Sequence, residues 1–264
     1  MQNIVVKIGE HFASIYSKSE RLIRWIQTYF QVIEWIPSLK TNSPYLLIHI
    51  EEGYGIPFVD YHVEIDSNPS GIIYRRADYF LEVNHDYSEA SISVYDELAL
   101  KHALHNLYSA FIIHNRWGLL IHSSCVEHQE KAYLFAGQSG AGKSTVARLS
   151  APRPILSDEA TLVKINENQV TVFDSPFRSE LTSPYLPHSC NLSSIYLLVQ
   201  SLDVRTSSLK KSDALLELMD KIFYWHHDSS ETAKLLNMCK QLVEQVPVYR
   251  MHFQKNDTFW ELIS

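Results

Sequence analysis

The sequence predicts an α/β protein in which a phosphate-loop domain follows a smaller α+β domain. Two observations carry this. A run of apolar residues at 132–136 leads directly into Gly137-Gln138-Ser139-Gly140-Ala141-Gly142-Lys143-Ser144, which satisfies G-x-x-x-x-G-K-[ST] at every fixed position and opens a helical stretch. The first hundred residues instead alternate in short apolar and polar runs and hold no catalytic constellation of their own. The boundary is placed so that residues 1–96 form the α+β domain and residues 97–264 the phosphate-loop domain.

The elements follow in order. Residues 21–30 place apolar side chains near helical spacing, and extended segments are expected at 45–50, 72–83 and 90–95. Breakers at 66–71 and in Asn84-His85-Asp86 supply the turns between them. A helix over 97–113 is predicted from Leu98, Leu100, Ala103, Leu104, Leu107 and Phe111. Strands at 118–126 and 132–136 come next, joined through Glu127-His128-Gln129-Glu130-Lys131. Pro152 and Pro154 cut the loop helix short, and Ile155-Leu156 then reads as a buried strand ending at Ser157-Asp158-Glu159. A hairpin is expected over 161–165 and 170–173, then a strand at 195–199 and helices at 212–225 and 230–246 that start on serines. A strand at 248–253 and a short helix at 258–263 close the chain.

Composition narrows the partners. The 264 residues suit one large domain or two modest ones. The formal charge is −7 with no dense basic block, which argues against nucleic acid as the main partner. The first ten residues lack the basic lead and apolar run of a signal peptide. His114, Asn115 and Arg116 interrupt the most apolar later segment, so no membrane span is expected. Cys125, Cys190 and Cys239 are odd in number and scattered, as in a reduced cytoplasmic protein without disulfides, and the histidines show no metal-ligand spacing with acids or cysteines.

The chemistry of the loop follows from its residue types. Glycines let several backbone N–H groups converge on phosphate oxygens, and the helix beginning near Lys143 turns its positive end toward the same anions. Gly137, Gln138, Ser139, Gly140, Ala141, Gly142, Lys143, Ser144 and Thr145 are therefore the expected nucleotide contacts. Lys143 would reach the β- and γ-phosphates, and the Ser144 hydroxyl would ligate Mg²⁺. Asp158 and Glu159 end a buried strand shortly after the loop helix. One carboxylate, Glu159 or Asp158, would hold Mg²⁺ and the other would accept a proton from an attacking hydroxyl. His122 ends an apolar run on the strand beside the loop strand and could face the same phosphates. Arg178, in Asp174-Ser175-Pro176-Phe177-Arg178-Ser179-Glu180, is a further candidate for transferred or substrate anions.

Leu120-Ile121-His122-Ser123-Ser124, the phosphate loop and Leu156-Ser157-Asp158-Glu159 together resemble the kinase domain of HPr kinase/phosphorylase. The resemblance implies an HPr kinase-like fold and ATP-dependent serine phosphorylation, with His122, Lys143, Ser144, Asp158 and Glu159 in the active site and ATP and Mg²⁺ as ligands. It also allows a homo-oligomer. Three departures count against HPr itself as substrate. An aspartate pair is replaced by Asp158-Glu159, the segment after Lys143 is shorter, and residues 174–180 stand where that family has a glycine-rich stretch. Residues 71–76, 117–126 and 173–178 are closer to the HPr kinase-like enzymes of lasso-peptide biosynthesis. That branch implies transfer of the γ-phosphate to the C-terminal serine of a lasso precursor peptide. Arg178, Lys210, Lys211 and Arg250 are the candidate cations for the peptide's α-carboxylate. An HPr-type carrier-protein kinase, a regulatory ATP switch and a small-molecule kinase remain the alternatives.

Overall fold

Period-two alternation builds the first unit. The computed structural model describes residues 2–34, 45–179 and 188–263, and the chain divides into Met1–Asn115 with Tyr224–Thr232, and Arg116–Phe223 with Ala233–Ser264. The first unit holds β1 (Gln2–Ile8), β2 (His11–Ser17), α1 (Glu20–Tyr29), β3 (Gln31–Ile33), β4 (Tyr45–Glu52), β5 (Glu64–Asn68), β6 (Gly71–Arg75), β7 (Tyr79–Val83), β8 (Glu89–Val94) and α2 (Glu97–His114). Its strands form one sheet in the order β3-β1-β2-β4-β8-β7-β6-β5. Tyr79, Leu81 and Val83 on β7, with Ala90, Ile92 and Val94 on β8, are buried, while Glu82, Glu89 and Ser91 face outward. Ser19 caps α1 by accepting from the Leu22 N–H, and Asp96 caps α2 by accepting from the Ala99 N–H.

Three features of this unit differ from the sequence expectation. Residues 2–17 form an antiparallel hairpin that turns at Gly9, whose φ is 60°. The extended segment expected over 72–83 is two strands, β6 and β7, reversed at residues 76–78. There the Arg76 Nε donates to Asp78 Oδ1 at 2.6 Å, a pair buried within the turn. Finally, α2 packs on β7 and β8, so the division falls between Asn115 and Arg116 rather than at 96/97.

The second unit is organised around one strand. It contains β9 (Gly118–His128), β10 (Lys131–Ala136), α3 (Lys143–Leu149), β11 (Ile155–Ser157), β12 (Ala160–Ile165), β13 (Val170–Phe173), β14 (Ser189–Gln200), β15 (Arg205–Ser208), α4 (Lys211–Met219), most of α5 (Ser229–Gln245), β16 (Val248–Phe253) and α6 (Trp260–Ile263). β10 pairs antiparallel with β9 and parallel with β14, which is in turn parallel to β16. Because β9, β12, β13 and β14 are also successive neighbours, the run from β10 round to β14 closes on itself. The helix expected over 212–225 stops at Met219, since residues 221–223 turn to pair with β9. β15 was not expected: its Arg-Thr-Ser-Ser sequence carries no apolar signal, and backbone pairing to β16 alone makes it a strand. No helix among the described residues is long and apolar enough to cross a membrane.

The core beneath the loop strand is aromatic. Tyr133, Phe135, Tyr196, Phe253, Phe259 and Trp260 pack with Val126, Val146, Leu198 and Met251. Trp260 closes it: its Nε1 donates to Ser150 Oγ at 3.1 Å and the Arg153 guanidinium lies 4.1 Å from its ring centroid. The terminal helix thereby pins the end of α3. We expect Trp260→Ala to destabilise the protein by about 3–5 kcal/mol in urea unfolding. A loss below about 1 kcal/mol would show that this contact does not hold the unit together.

Candidate phosphate-binding site

The loop's path is set by two left-handed glycines. Gly140 has φ 79° and Gly142 has φ 108°, and Gly142 is the N-cap of α3. A Cβ on Gly142 would lie 2.6 Å from Phe253 Cζ, so the core itself fixes how closely the loop approaches β16. A Cβ on Gly140 would meet nothing within 4 Å. The Ala141 N–H donates to Gln138 O at 3.1 Å, and the Gln200 side chain donates to Gly140 O at 2.8 Å. Ser124 Oγ donates to Lys143 O at 2.9 Å, which ties the start of α3 to β9.

Lys143 is buried and folds back over the loop, donating to Gly137 O at 2.9 Å and Gln138 O at 3.0 Å. Burial lowers its pKa, the Lys221 charge lowers it further, and the Glu159 carboxylate opposes both. Ser144 and Thr145 follow on the first turn of α3 and are half-buried. The structure therefore brings Lys143, Glu159 and His122 into one electrostatic neighbourhood, since the Lys143 charge also acts on His122. The donor set fits the expected ligands: backbone N–H groups and an ammonium for phosphate, with the Ser144 hydroxyl and the Glu159 carboxylate as hard oxygen donors for Mg²⁺.

The two acids of the pair differ in surroundings. Asp158 is buried, and its carboxylate accepts from the Ser179 N–H at 3.0 Å and from Ser179 Oγ at 2.9 Å. Glu159 is half-buried, and its backbone carbonyl accepts from the Ser123 N–H at 3.0 Å. Both stand where β11 passes into β12 alongside β9.

Arg178 is not a surface group. It is buried, with Nη2 donating to Ile155 O at 3.1 Å and to the Asp174 carboxylate. Nη2 thus holds residues 174–178 onto β11, while Nη1 is buried with no hydrogen-bond partner among the described residues. The last residue of that stretch in the sequence reading, Glu180, lies outside the described residues. Of the other cations considered for a peptide carboxylate, Lys210 is the N-cap of α4 and Lys211 Nζ donates to Glu244 O at 3.4 Å. Arg250 pairs with Glu217 and lines the same cleft as residues 137–141.

Sequence reasoning missed what stands opposite the loop. A cleft of about 470 Å³ is lined by residues 137–141, residues 197–200, Glu217, Lys221 and Arg250. Nothing in the linear pattern marks Lys221, which lies 78 residues beyond Lys143 and arrives through the pairing of residues 221–223 with β9. The expectation that no histidine gathers with acids or cysteines also needs correction. His188 Nε2 lies 2.8 Å from Glu127 Oε2, and their ligand atoms and Cys190 Sγ are all within 4.8 Å of one another. Burial and the neighbouring Glu127 push the Cys190 thiol up to about 12, so it is protonated at neutral pH. This contact joins residues far apart in the chain, which spacing cannot show.

The chain is therefore a mixed α/β protein carrying a phosphate-loop motif at the carboxyl end of a central strand. It belongs to the family described as SynChlorMet cassette protein ScmC, whose model matches residues 86–264. No curated protein matches the sequence. Among solved structures, the Hpr(Ser) kinase/phosphatase from Coxiella burnetii is similar over 54% of this chain and 90% of its own. The identity is 12% and the TM-score 0.28, a likeness too slight to carry an argument.

Two outcomes follow from the geometry. Both glycines sit at positive φ, where an L side chain costs about 1–2 kcal/mol, but only Gly142 also meets a buried ring. Gly142→Ala should therefore lower the unfolding free energy more than Gly140→Ala, and equal losses would show that Phe253 yields freely. His122 has its pKa lowered from 6.5 to about 4, first by burial and then by the charges of Lys143 and Lys221. Its folded value lies below its unfolded one, so the neutral ring favours the folded state. That stabilisation is complete above about pH 6.5 and is lost as pH falls toward 4. An NMR titration should find its midpoint near 4, and a midpoint near 6.5 would place the ring in ordinary solvent.

Proposed function

We propose that this protein is an ATP-dependent serine kinase acting on a peptide, and that the acceptor is the C-terminal serine of a lasso-type precursor. The observation that carries the proposal is the phosphate loop, with its two left-handed glycines and a Lys143 ammonium on which the Glu159 carboxylate acts, in a chain where Asp158-Glu159 follow β11.

In this reading the loop N–H groups and Lys143 bind the triphosphate, with Lys143 exchanging the carbonyls of Gly137 and Gln138 for phosphate oxygens. Bound through Ser144 and Glu159, Mg²⁺ would supply charge neutralisation on the phosphate oxygens. Asp158 is assigned to the acceptor, because a serine hydroxyl already donates to its Oδ2 at 2.9 Å. An incoming substrate serine would displace Ser179 from this position. The serine oxygen forms a bond to the γ-phosphorus, the bond from that phosphorus to the β-γ bridging oxygen breaks, and ADP leaves. The hydroxyl proton passes to the Asp158 carboxylate. His122, its proton disfavoured by burial and by the charges of Lys143 and Lys221, adds no further positive charge near the loop. Since the transition state is loose, positioning and charge stabilisation contribute more than proton abstraction.

The direct test is incubation with Mg²⁺-ATP and a precursor peptide ending in serine, with tandem mass spectrometry locating the phosphate and an alanine-terminated peptide as control. Phosphate confined to the terminal serine is expected. ATP consumed without peptide modification would instead favour a carrier protein as acceptor or a nucleotide switch. Lys143→Ala should remove nearly all turnover. Asp158→Asn should lower kcat by about 10²–10⁴-fold with little change in nucleotide affinity. Ser179→Ala separates the roles of Asp158: near-normal turnover is expected of a base, whereas a fall as large as that of Asp158→Asn would mean that the carboxylate only anchors its loop.

A further inference from the structure

Lys221 has no part in the reading of the sequence, yet it stands in the loop's cleft. It follows α4, whose C-cap is Asp220, and its backbone is fixed to the strand that carries His122. The His122 N–H donates to Lys221 O at 2.6 Å, the Phe223 N–H donates to Leu120 O at 2.9 Å, and Ile121 and Ile222 form a bridge between them. The side chain is 10% exposed and lines the same cleft as residues 137–141. Its charge acts on both Lys143 and His122.

A cluster of cations is costly unless an anion balances it. Two ammonium groups near one another repel, and partial burial denies them full hydration. Each has a temporary answer in the resting protein. Lys143 donates to loop carbonyls, and Lys221 is held by both oxygens of Asp220 at 2.6 Å. The side chain of Asp220 is 59% exposed, so water can take over its hydration when it releases the lysine. A polyanion entering the cleft would offer both lysines a better partner than either has at rest.

We propose that Lys221 is a second phosphate cation of this site, leaving Asp220 to bind the terminal phosphate and so distinguishing a triphosphate from a diphosphate. The inference rests on the reading that the loop binds a nucleoside triphosphate. Lys143, anchored at the loop, contacts the β-phosphate of either nucleotide. Lys221 lines the same cleft as loop residues 137–141, and the γ-phosphate, the group a diphosphate lacks, is the one assigned to it. A compact ammonium on a flexible stem suits this exchange better than a planar guanidinium fork, because it swaps one oxygen pair for another without a fixed orientation.

The test is calorimetric binding of Mg²⁺-ATP and Mg²⁺-ADP to the full chain, its Lys221→Met and Asp220→Asn variants, and Lys143→Ala as control. Lys221→Met should weaken ATP by roughly 10- to 100-fold, the worth of a charge-assisted hydrogen bond, and ADP by less than about 3-fold. Asp220→Asn removes the resting competitor and should bind ATP at least as tightly as the native protein. The Lys221–Asp220 pair is purely structural if both variants lower the unfolding midpoint and weaken the two nucleotides equally, or leave both affinities unchanged. Either result overturns the inference while leaving the loop reading intact. Failure of the native protein to bind either nucleotide overturns both.

Discussion

The site depends on the double pairing of β10. That strand is hydrogen-bonded along its length to β9 on one side and β14 on the other, antiparallel and parallel respectively. A strand held on both edges cannot slip in register without breaking two ladders at once. Its carboxyl end is therefore a fixed point, and the loop departs from it. The same arrangement places β9, with His122, on one flank of the loop and residues 197–200 of β14 on the other. Ligand sites in parallel α/β sheets gather at such strand ends because the chain must leave the sheet there and can present backbone N–H groups.

Packing turns this fixed point into a shaped one. Phe253 presses against Gly142, Phe135 stacks on Tyr196 with ring centroids 5.6 Å apart, and Trp260 reaches Ser150 at the end of α3. The loop helix is short, and a short helix gains little from its own hydrogen bonds. Its stability comes from this aromatic floor and from the Ser124 hydroxyl on Lys143 O. Ser150 turns the helix's last turn to the same end, donating to Val146 O at 2.7 Å while accepting from Trp260.

Charge in the cleft is arranged by burial as much as by pairing. Lys143 sits among its own loop carbonyls, Lys221 on Asp220, and Arg250 on Glu217. His122 stays neutral at physiological pH because burial and two lysines disfavour its proton. The chain as a whole carries a charge of −7, yet cations converge at this one position. That contrast between a net acidic protein and a locally cationic cleft suits the phosphate-binding role proposed for the loop.

The sequence by itself determined what is local. Gly137 to Ser144 could be read because the loop's conformation is dictated by its own residues, and the 160–173 hairpin because alternation and a polar turn are short-range signals. The β1–β2 hairpin, whose apolar residues in β1 run consecutively, carries only Gly9 as a local turn signal. The polar strand β15 carried none, because an edge strand needs only backbone pairing. The tertiary structure alone decided which charges meet. Arg178 was turned inward by Asp174, Ser179 was seated on Asp158, and Lys221 was carried to the loop by residues 221–223 pairing with β9. Each is a contact whose partner the chain supplies from a distance or across a turn. Residue type sets what such a group can bind, but only packing sets what it faces.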